Sequence, residues 1–140
     1  MDWQQFDRGI FLVNVLAIIY NPQTKKVLIG KRRDDPYIPE LSWSFPGGRP
    51  AYKEDLEFYL KFEIKRKTGV EVRIKELIHA RLHPEMKEFL SMYYLCEPLG
   101  GKEQAGEKFS EIKWVFPHEL KYFFTTKMDS KVEKFLSELK

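Results

Sequence analysis

The sequence is poor in cysteine, in long apolar runs and in net charge. Cys96 is the one cysteine among 140 residues, which excludes an intrachain disulfide framework and a cysteine-based zinc site and favours a reducing, cytoplasmic location. No apolar run reaches the ~18 residues of a membrane-spanning helix. The longest run, residues 11–20, is interrupted by Asn14 and predicts a buried strand. The polar N-terminus has no small-residue cleavage site, so no signal peptide is expected.

The charge balance is only mildly basic. The chain has 24 Lys and Arg against 21 Asp and Glu, a net charge of +3. This balance suits an anionic ligand, but without a basic stripe of interleaved aromatics it gives no support for nucleic-acid binding. An aromatic content of 15% excludes a disordered chain, and the length predicts one domain over residues 1–140. The high content of Lys and Glu points to a thermophilic source.

Alternating strand and helix patterns predict an α+β fold. The segments 11–20 and 26–32 are apolar strands around an Asn-Pro turn, which predicts a hairpin. The whole pattern predicts a mixed β-sheet between helices, an α/β/α sandwich. The further predicted elements are a loop at Asp34–Pro36 and Pro39, strands at 42–45, 70–82, 89–96 and 112–116, helices at 54–68 and 129–139, a surface loop at 99–106, and a helical turn at 117–120.

The helix predicted at 54–68 has one apolar stripe and a glycine stop. Leu56, Tyr59, Leu60 and Ile64 recur at helical spacing, and Gly69 is expected to close the helix in a left-handed conformation. Phe58 and Phe62 lie off this stripe. They are expected to pack either against the terminal helix or against a second subunit.

The segment before this helix outlines a phosphate-handling site. Phe45-Pro46-Gly47-Gly48-Arg49 is a tight glycine turn, Glu54 follows six residues after the second glycine, and Gly69 ends the helix fifteen residues later. A glycine pair in most proteins is only a turn. Here its position before a helix favours backbone that faces a ligand.

These residues resemble a Nudix box. Gly48, Glu54, Glu63, Ile64, Gly69 and Val70 agree with its pattern, whereas Phe62, Arg66 and Lys67 depart from it. The resemblance extends over roughly residues 11 to 120. It implies the Nudix α/β/α fold, hydrolysis of a nucleoside diphosphate linked to another moiety, a magnesium or manganese cofactor if the site is active, and a homodimer, which relatives often form.

Within that superfamily the chain is most similar to GDP-mannose mannosyl hydrolases. The shared residues are Gly30-Lys31-Arg32, Pro36, Trp43, Pro46-Gly47-Gly48-Arg49, Lys53 and Glu54. The likeness implies a nucleotide-sugar ligand, with the two phosphate-facing arginines at Arg32 and Arg49. Other essentials of these enzymes are missing: a box glutamate falls on Lys67, the Gln-His pair of metal ligand and base falls on Lys108-Phe109, and a strand acid falls on Leu16.

The departures matter because they remove carboxylates. Residues at i, i+3 and i+4 share one face of a helix, so glutamates at 63, 66 and 67 would converge on one hard cation. This chain has Glu63, Arg66 and Lys67 there. Two fixed positive charges repel a divalent ion, and Glu63 is expected to pair with Lys67. The usual three-carboxylate metal site is therefore not predicted on this helix. Glu63 and Glu54 are the carboxylates left as candidate metal ligands.

Two functions remain open. In the first, the chain is a hydrolase with a reorganised site, where Glu63 and Arg49 act in catalysis. In the second, it is a catalytically silent module that binds a nucleotide or nucleotide-sugar. In both, the ligand-binding residues are Arg32, Arg49, Gly47, Gly48 and Lys67.

Other polar and aromatic residues have two interpretations each. Glu54 is either a metal ligand or a support for its loop. The segment His83-Pro84-Glu85 is the best place for a replacement acid or base, although the scattered histidines are more often structural. Glu107 and Glu111 are either late-loop metal ligands or solvated residues. Tyr37 and Trp43 either stack on a base or sugar or line the core.

Overall fold

The computed structural model describes residues 9–33 and 42–140. The loop predicted at Asp34–Pro36 and Pro39, together with Tyr37, lies outside the described residues. In the described part, the elements in chain order are β1 Leu12–Asn21, β2 Lys26–Arg32, β3 Trp43–Ser44, β4 Gly47–Gly48, α1 Leu56–Thr68, β5 Val70–Leu82, β6 Phe89–Gly101, β7 Phe109–Val115, a 3-10 helix Pro117–Tyr122 and α2 Ser130–Ser137.

The strands form one mixed seven-stranded sheet. Its main path runs β3-β2-β1-β6-β5, while β4 pairs with β1 and β7 pairs with β2. The β1–β6 pair is parallel and the other pairs are antiparallel. The predicted hairpin is present, with Tyr20 opposite Val27. The predicted α+β class with a mixed sheet is confirmed.

A separate apolar core covers each face of the sheet. On one face, Val15 and Ala17 of β1 pack with Leu60 and Ile64 of α1. On the other face, Ile18 of β1 packs with residues of the 3-10 helix and α2. Because successive side chains of a strand point to opposite faces, one strand serves both cores. Helices therefore cover both faces, as the α/β/α sandwich requires.

Helix α1 begins and ends where its capping residues predict. The side chain of Asp55 accepts a hydrogen bond from the backbone N–H of Phe58 at 2.9 Å, and Gly69 has a φ of 76° and donates its N–H to Lys65. The predicted left-handed glycine stop is confirmed. The positively charged last turn, which contains Arg66 and Lys67, lies where the negative end of the helix dipole stabilises cations.

One local prediction is wrong, and a second loses one of its two alternatives. Leu99, Gly100 and Gly101 belong to β6 instead of a surface loop, because the ladder with β5 continues to the pair Val70–Gly101. Both glycines have positive φ, a conformation that glycine adopts at little cost. The register shifts between Glu71 and Val72, and the extra residue at this shift is Leu99 of β6. Glycine content alone does not reveal such an irregular extension of a strand.

The prediction with two alternatives concerns Phe58 and Phe62. They do not pack against the terminal helix, since α2 packs against β5 and the 3-10 helix and buries Val132 and Leu136 in the core on the opposite face of the sheet from α1. Their exposed fractions are 71% and 55%. A second subunit remains the predicted partner.

Among the described residues, no helix has the length and apolar composition needed to cross a membrane.

Candidate functional site

A cavity of about 400 Å³ opens beside the glycine turn and extends over the sheet. Its described lining holds seven basic side chains and only two carboxylates. A recess with such an excess of positive charge concentrates and binds anions. The basic residues are Arg32, Arg49, Arg66, Lys67, Arg81, Lys108 and Lys127, and the acidic ones are Glu63 and Glu107.

The cavity also has an aromatic wall. Phe45 and Phe124 meet edge to face, with ring centroids 5.0 Å apart, and both line the cavity. Trp43 lines it as well and packs edge to face on Phe123 at 5.3 Å. Aromatic surface beside a cationic recess can hold a flat ring next to a charged group. Trp43 thus packs on a neighbouring ring and also lines the cavity, and its stacking on a base or sugar stays a prediction.

The glycine turn lies against β1, where no larger residue fits. Gly47 and Gly48 pair with Leu16 and Val15, and a Cβ atom at Gly47 would collide with the carbonyl oxygen of Val15. A Cβ atom at Gly48 would collide with the hydroxyl of Tyr59. The turn therefore depends on glycine for close approach. Leu16, the position where the resemblance expects an acid, lines the cavity as an apolar side chain.

Glu63 is buried and bound by two cations. Only 3% of the residue is exposed. Its Oε1 accepts a hydrogen bond from Nη2 of Arg66 at 2.6 Å, and its Oε2 lies 3.4 Å from Nζ of Lys67. The predicted pair with Lys67 is present, and Arg66 is a second partner that was not predicted. The hydrogen bond to Glu63 raises the pKa of Arg66 above its usual range.

Lys67 projects its ammonium group into the glycine turn. Nζ donates a hydrogen bond to the carbonyl oxygen of Gly47, and only 14% of the side chain is exposed. Burial lowers the pKa of Lys67, while the nearby Glu63 carboxylate opposes that shift. A fixed cation is thus held at the turn by one carbonyl and one carboxylate, the kinds of ligand that a hard metal ion prefers.

A divalent cation does not fit the residues of α1. Magnesium and manganese need several oxygen ligands, whereas this helix offers the Glu63 carboxylate with both oxygens already paired to Arg66 and Lys67. Within residues 9–33 and 42–140, no three or more His, Cys, Asp or Glu side chains group closely enough to hold a metal ion. Glu54, the other candidate, accepts the backbone N–H of Ala51 at 2.6 Å and supports the loop before α1.

The remaining predicted residues divide between the cavity and the fold. Arg32 and Arg49 both line the cavity, and the Arg49 guanidinium lies 5.8 Å from the ring of Phe89. Glu107 lines the cavity and approaches Arg66 at 3.9 Å. Glu111 lies opposite Lys31 in the β2–β7 pair and is not among the described lining residues.

The histidines serve mainly to hold the fold. Nδ1 of His83 accepts the backbone N–H groups of Glu85 and Met86, each at 3.1 Å. The neutral ring therefore carries its proton on Nε2, and His83 lines the cavity as a potential donor. Its Nδ1 is not available as a base. Nε2 of His79 lies 3.2 Å from Asp129, the N-cap of α2.

Several cavity residues were not identified from the sequence, among them Asn14, Tyr59, Arg81 and Ser91. Tyr59 belongs to the apolar stripe of α1, yet its hydroxyl reaches Gly48. Burial, together with Glu63 and Glu54, raises the pKa of Tyr59 to about 12, so the phenol stays protonated and can donate. The polar interruption at Asn14 was the available signal in β1. The strands of Arg81 and Ser91 gave no sign that these two side chains face one cavity.

Comparisons with known proteins agree with this geometry. The NUDIX domain model matches residues 11–139. An 8-oxo-dGTP diphosphatase from Buchnera aphidicola subsp. Schizaphis graminum is 29% identical over 109 residues, which are 78% of this chain and 80% of the relative. A NUDIX hydrolase structure from Nitrosomonas europaea has a TM-score of 0.75 at 20% identity, covering 93% of this chain and 72% of that one. An ADP-ribose pyrophosphatase structure from Streptococcus suis has a TM-score of 0.69 at 19% identity, covering 89% and 87%.

Proposed function

This chain belongs to the NUDIX domain family, and we propose that it binds a nucleoside diphosphate linked to another moiety through its own fixed cations. The observation that carries the proposal is the ammonium group of Lys67, which is bonded to Gly47 in the turn. A cation at that place attracts a diphosphate without a metal ion. Arg32 and Arg49 line the same cavity and supply the planar donors that phosphate oxygens accept.

The rest of the cavity suits a nucleotide. Trp43, Phe45 and Phe124 offer aromatic surface for a base or a sugar ring. The neutral phenol of Tyr59, next to Gly48, can donate a hydrogen bond to a phosphate oxygen. The names of two relatives, an 8-oxo-dGTP diphosphatase and an ADP-ribose pyrophosphatase, both denote phosphoanhydride-linked nucleotides and support this ligand class. The likeness to GDP-mannose mannosyl hydrolases favours a nucleotide-sugar within it.

A second candidate function is hydrolysis of the same ligand without a metal cluster on α1. Family membership favours it. Lys67, Arg32 and Arg49 would stabilise the charge that develops on the leaving diphosphate. Glu63 and Arg49 remain the proposed catalytic residues, although Glu63 is engaged by two cations. Hydrolysis of this kind either continues when metal ions are chelated or uses metal-binding carboxylates outside residues 48–70. Glu107 is a carboxylate of that kind that lines the cavity.

Calorimetry and turnover assays distinguish the two functions. Nucleoside diphosphate sugars, ADP-ribose and dinucleoside polyphosphates are titrated and assayed with magnesium, with manganese and with EDTA. Saturable binding that Arg49→Ala weakens, without turnover of any compound, supports binding and rules out hydrolysis. Turnover that Glu63→Gln abolishes rules out the silent module. No binding and no turnover of any of these compounds contradicts both.

We also propose that the protein is a homodimer that buries the exposed face of α1. Phe58 and Phe62 are one helical turn apart and largely exposed, and such pairs often mark an interface. Light scattering is expected to give twice the chain mass of 16.8 kDa. The double variant Phe58→Ser/Phe62→Ser is expected to give the monomer mass, whereas an unchanged dimer would place the interface elsewhere.

A further inference from the structure

A row of polar side chains crosses three strands on the floor of the cavity. In the sheet register, Asn14 of β1 lies beside Ser91 of β6, and Ser91 lies opposite Arg81 of β5. Neighbouring strands are about 4.8 Å apart, so adjacent members of this row can contact one ligand group. All three residues line the cavity. Ser91 is 2% exposed, which places a hydroxyl at the bottom of the recess.

Arg81 holds a buried donor that the described residues leave unsatisfied. Its Nε has no hydrogen-bond partner among the described residues. A buried polar N–H without a partner is costly, and such groups are usually satisfied by protein, water or a ligand. The positive charge of Arg81 interacts with the carboxylate of Asp129 and helps to lower its pKa. That carboxylate already accepts two backbone N–H groups of α2 and lies 3.2 Å from His79.

The next row of the floor adds another donor. The backbone N–H of His83 bonds to the carbonyl of Phe89, so His83 is the neighbour of Phe89 in the β5–β6 pair. Since Nδ1 of His83 accepts two backbone donors, the proton of the neutral ring is on Nε2. The two rows together contain four hydrogen-bond donors: the guanidinium of Arg81, the hydroxyl of Ser91, the amide of Asn14 and the imidazole N–H of His83. These are donors suited to a group rich in acceptor oxygens.

The principal member of this row, Arg81, lies away from Lys67 at the glycine turn, whereas Arg49 reaches over Phe89 toward the row. Strand β4, which contains Gly47, pairs with one side of β1, while β6 and then β5 follow on the other side. Three strand spacings, about 14 Å, therefore separate the backbone of the turn from that of Arg81. A diphosphate bound by Lys67 at the turn leaves the donors of β5 and β6 to a different part of the ligand.

We propose that Arg81, Ser91, Asn14 and His83 form a second anion subsite, which binds a phosphate monoester carried by the nucleoside in addition to its diphosphate. The proposal rests on the proposed binding of a diphosphate at the glycine turn. It narrows the ligand class to nucleoside diphosphate derivatives that bear a further phosphate on the ribose. Arg81 is the principal residue of the subsite, because a guanidinium can donate to two phosphate oxygens at once.

A matched pair of ligands tests the subsite. NADP⁺ and NAD⁺ share one diphosphate-linked dinucleotide and differ by one ribose phosphate. Calorimetry is expected to show that NADP⁺ binds about tenfold or more tightly than NAD⁺. A charge-assisted hydrogen bond to the extra phosphate accounts for a difference of that size. Arg81→Gln is expected to remove this preference and to change the affinity for NAD⁺ by less than about threefold. The control is Arg73→Gln on the same strand, which removes an arginine that is exposed and bonded to Glu97, and it should keep the preference.

The outcomes separate the subsite from the proposed function. Equal binding of the two dinucleotides by the wild-type protein overturns the subsite and leaves diphosphate binding intact. Equal weakening of both ligands by Arg81→Gln also overturns it, because Arg81 then holds a part that they share. If neither dinucleotide binds, the result counts against the proposed function. Titration of the wild-type protein with inorganic phosphate, followed by the NMR signal of the Arg81 Nε–H, then decides the subsite. A saturable shift supports it and an unmoved signal overturns it.

Discussion

The ammonium group of Lys67 donates a hydrogen bond to the carbonyl oxygen of Gly47, 20 residues earlier in the chain. This contact connects the last turn of α1 to the glycine turn and leaves a positive charge at the edge of the cavity. The same ammonium group lies 3.4 Å from Oε2 of Glu63. Where the Nudix pattern predicts a glutamate, this lysine therefore places a cation of the protein itself at the turn.

Adding carboxylates to α1 should create a metal-binding site. In the double variant Arg66→Glu/Lys67→Glu, three carboxylates share one face of the helix. The variant also removes both cations that pair with Glu63. We expect saturable binding of one Mn²⁺, measured by the loss of the free-ion EPR signal, and a melting temperature that rises with Mn²⁺ concentration. Arg66→Gln/Lys67→Gln removes the cations without adding ligands and is the control. Binding of Mn²⁺ by the wild-type α1 site would contradict our account.

Lys67 should contribute to stability as well as to the site. Lys67→Met leaves the buried Glu63 carboxylate with Arg66 as its remaining partner on α1. Loss of one partner from a buried ion pair costs about 3 kcal/mol, and we expect a decrease of that order in the free energy of unfolding, measured with urea. The control Lys65→Met breaks an exposed pair with Glu71 and should cost about 1 kcal/mol or less. Equal losses would show that the Glu63 cluster adds no stability.

Features of the chain that depend on local physics could be predicted. The N-cap and the glycine stop of α1 follow from neighbouring residues, as does the β1–β2 hairpin. The pairing of Glu63 with Lys67 follows from their spacing on the helix. The α/β/α arrangement follows from two apolar helices and several apolar strands, which must cover both faces of a sheet.

Features that depend on strand neighbours could not be predicted. Arg81 and Ser91 meet in one cavity only because β5 and β6 pair in a particular register, and strand alternation does not identify the partner strand. The extension of β6 to Gly101 depends on pairing with Val70, which overrides the turn preference of glycine. The exposure of Phe58 also depends on the tertiary arrangement, because α2 packs on the face of the sheet opposite α1 and does not cover this side chain.

The glycine turn should not tolerate a side chain at its first position. In Gly47→Ala, the new Cβ would collide with the backbone carbonyl of Val15, which cannot move without disturbing β1. We expect a loss of about 3 kcal/mol in the free energy of unfolding. In Gly48→Ala, the obstacle is the side-chain hydroxyl of Tyr59, so the double variant Gly48→Ala/Tyr59→Phe should recover part of the loss. Absence of recovery would show that the backbone limits this position too.

Stability should fall in alkaline solution through Tyr59. Its pKa is raised from 10.0 to about 12 in the folded protein, chiefly by burial and then by Glu63. Between these values the unfolded chain releases the phenolic proton while the folded protein keeps it. The contribution is therefore fully present below pH 10 and is lost as pH rises toward 12. Urea unfolding at pH 9, 10 and 11 should show a smaller decline for Tyr59→Phe than for the wild type. The matched control is Tyr52→Phe, which removes a phenol of a residue that is 93% exposed. Equal declines in the wild type and Tyr59→Phe would mean that burial and the nearby carboxylates do not raise the pKa of Tyr59 in the folded protein.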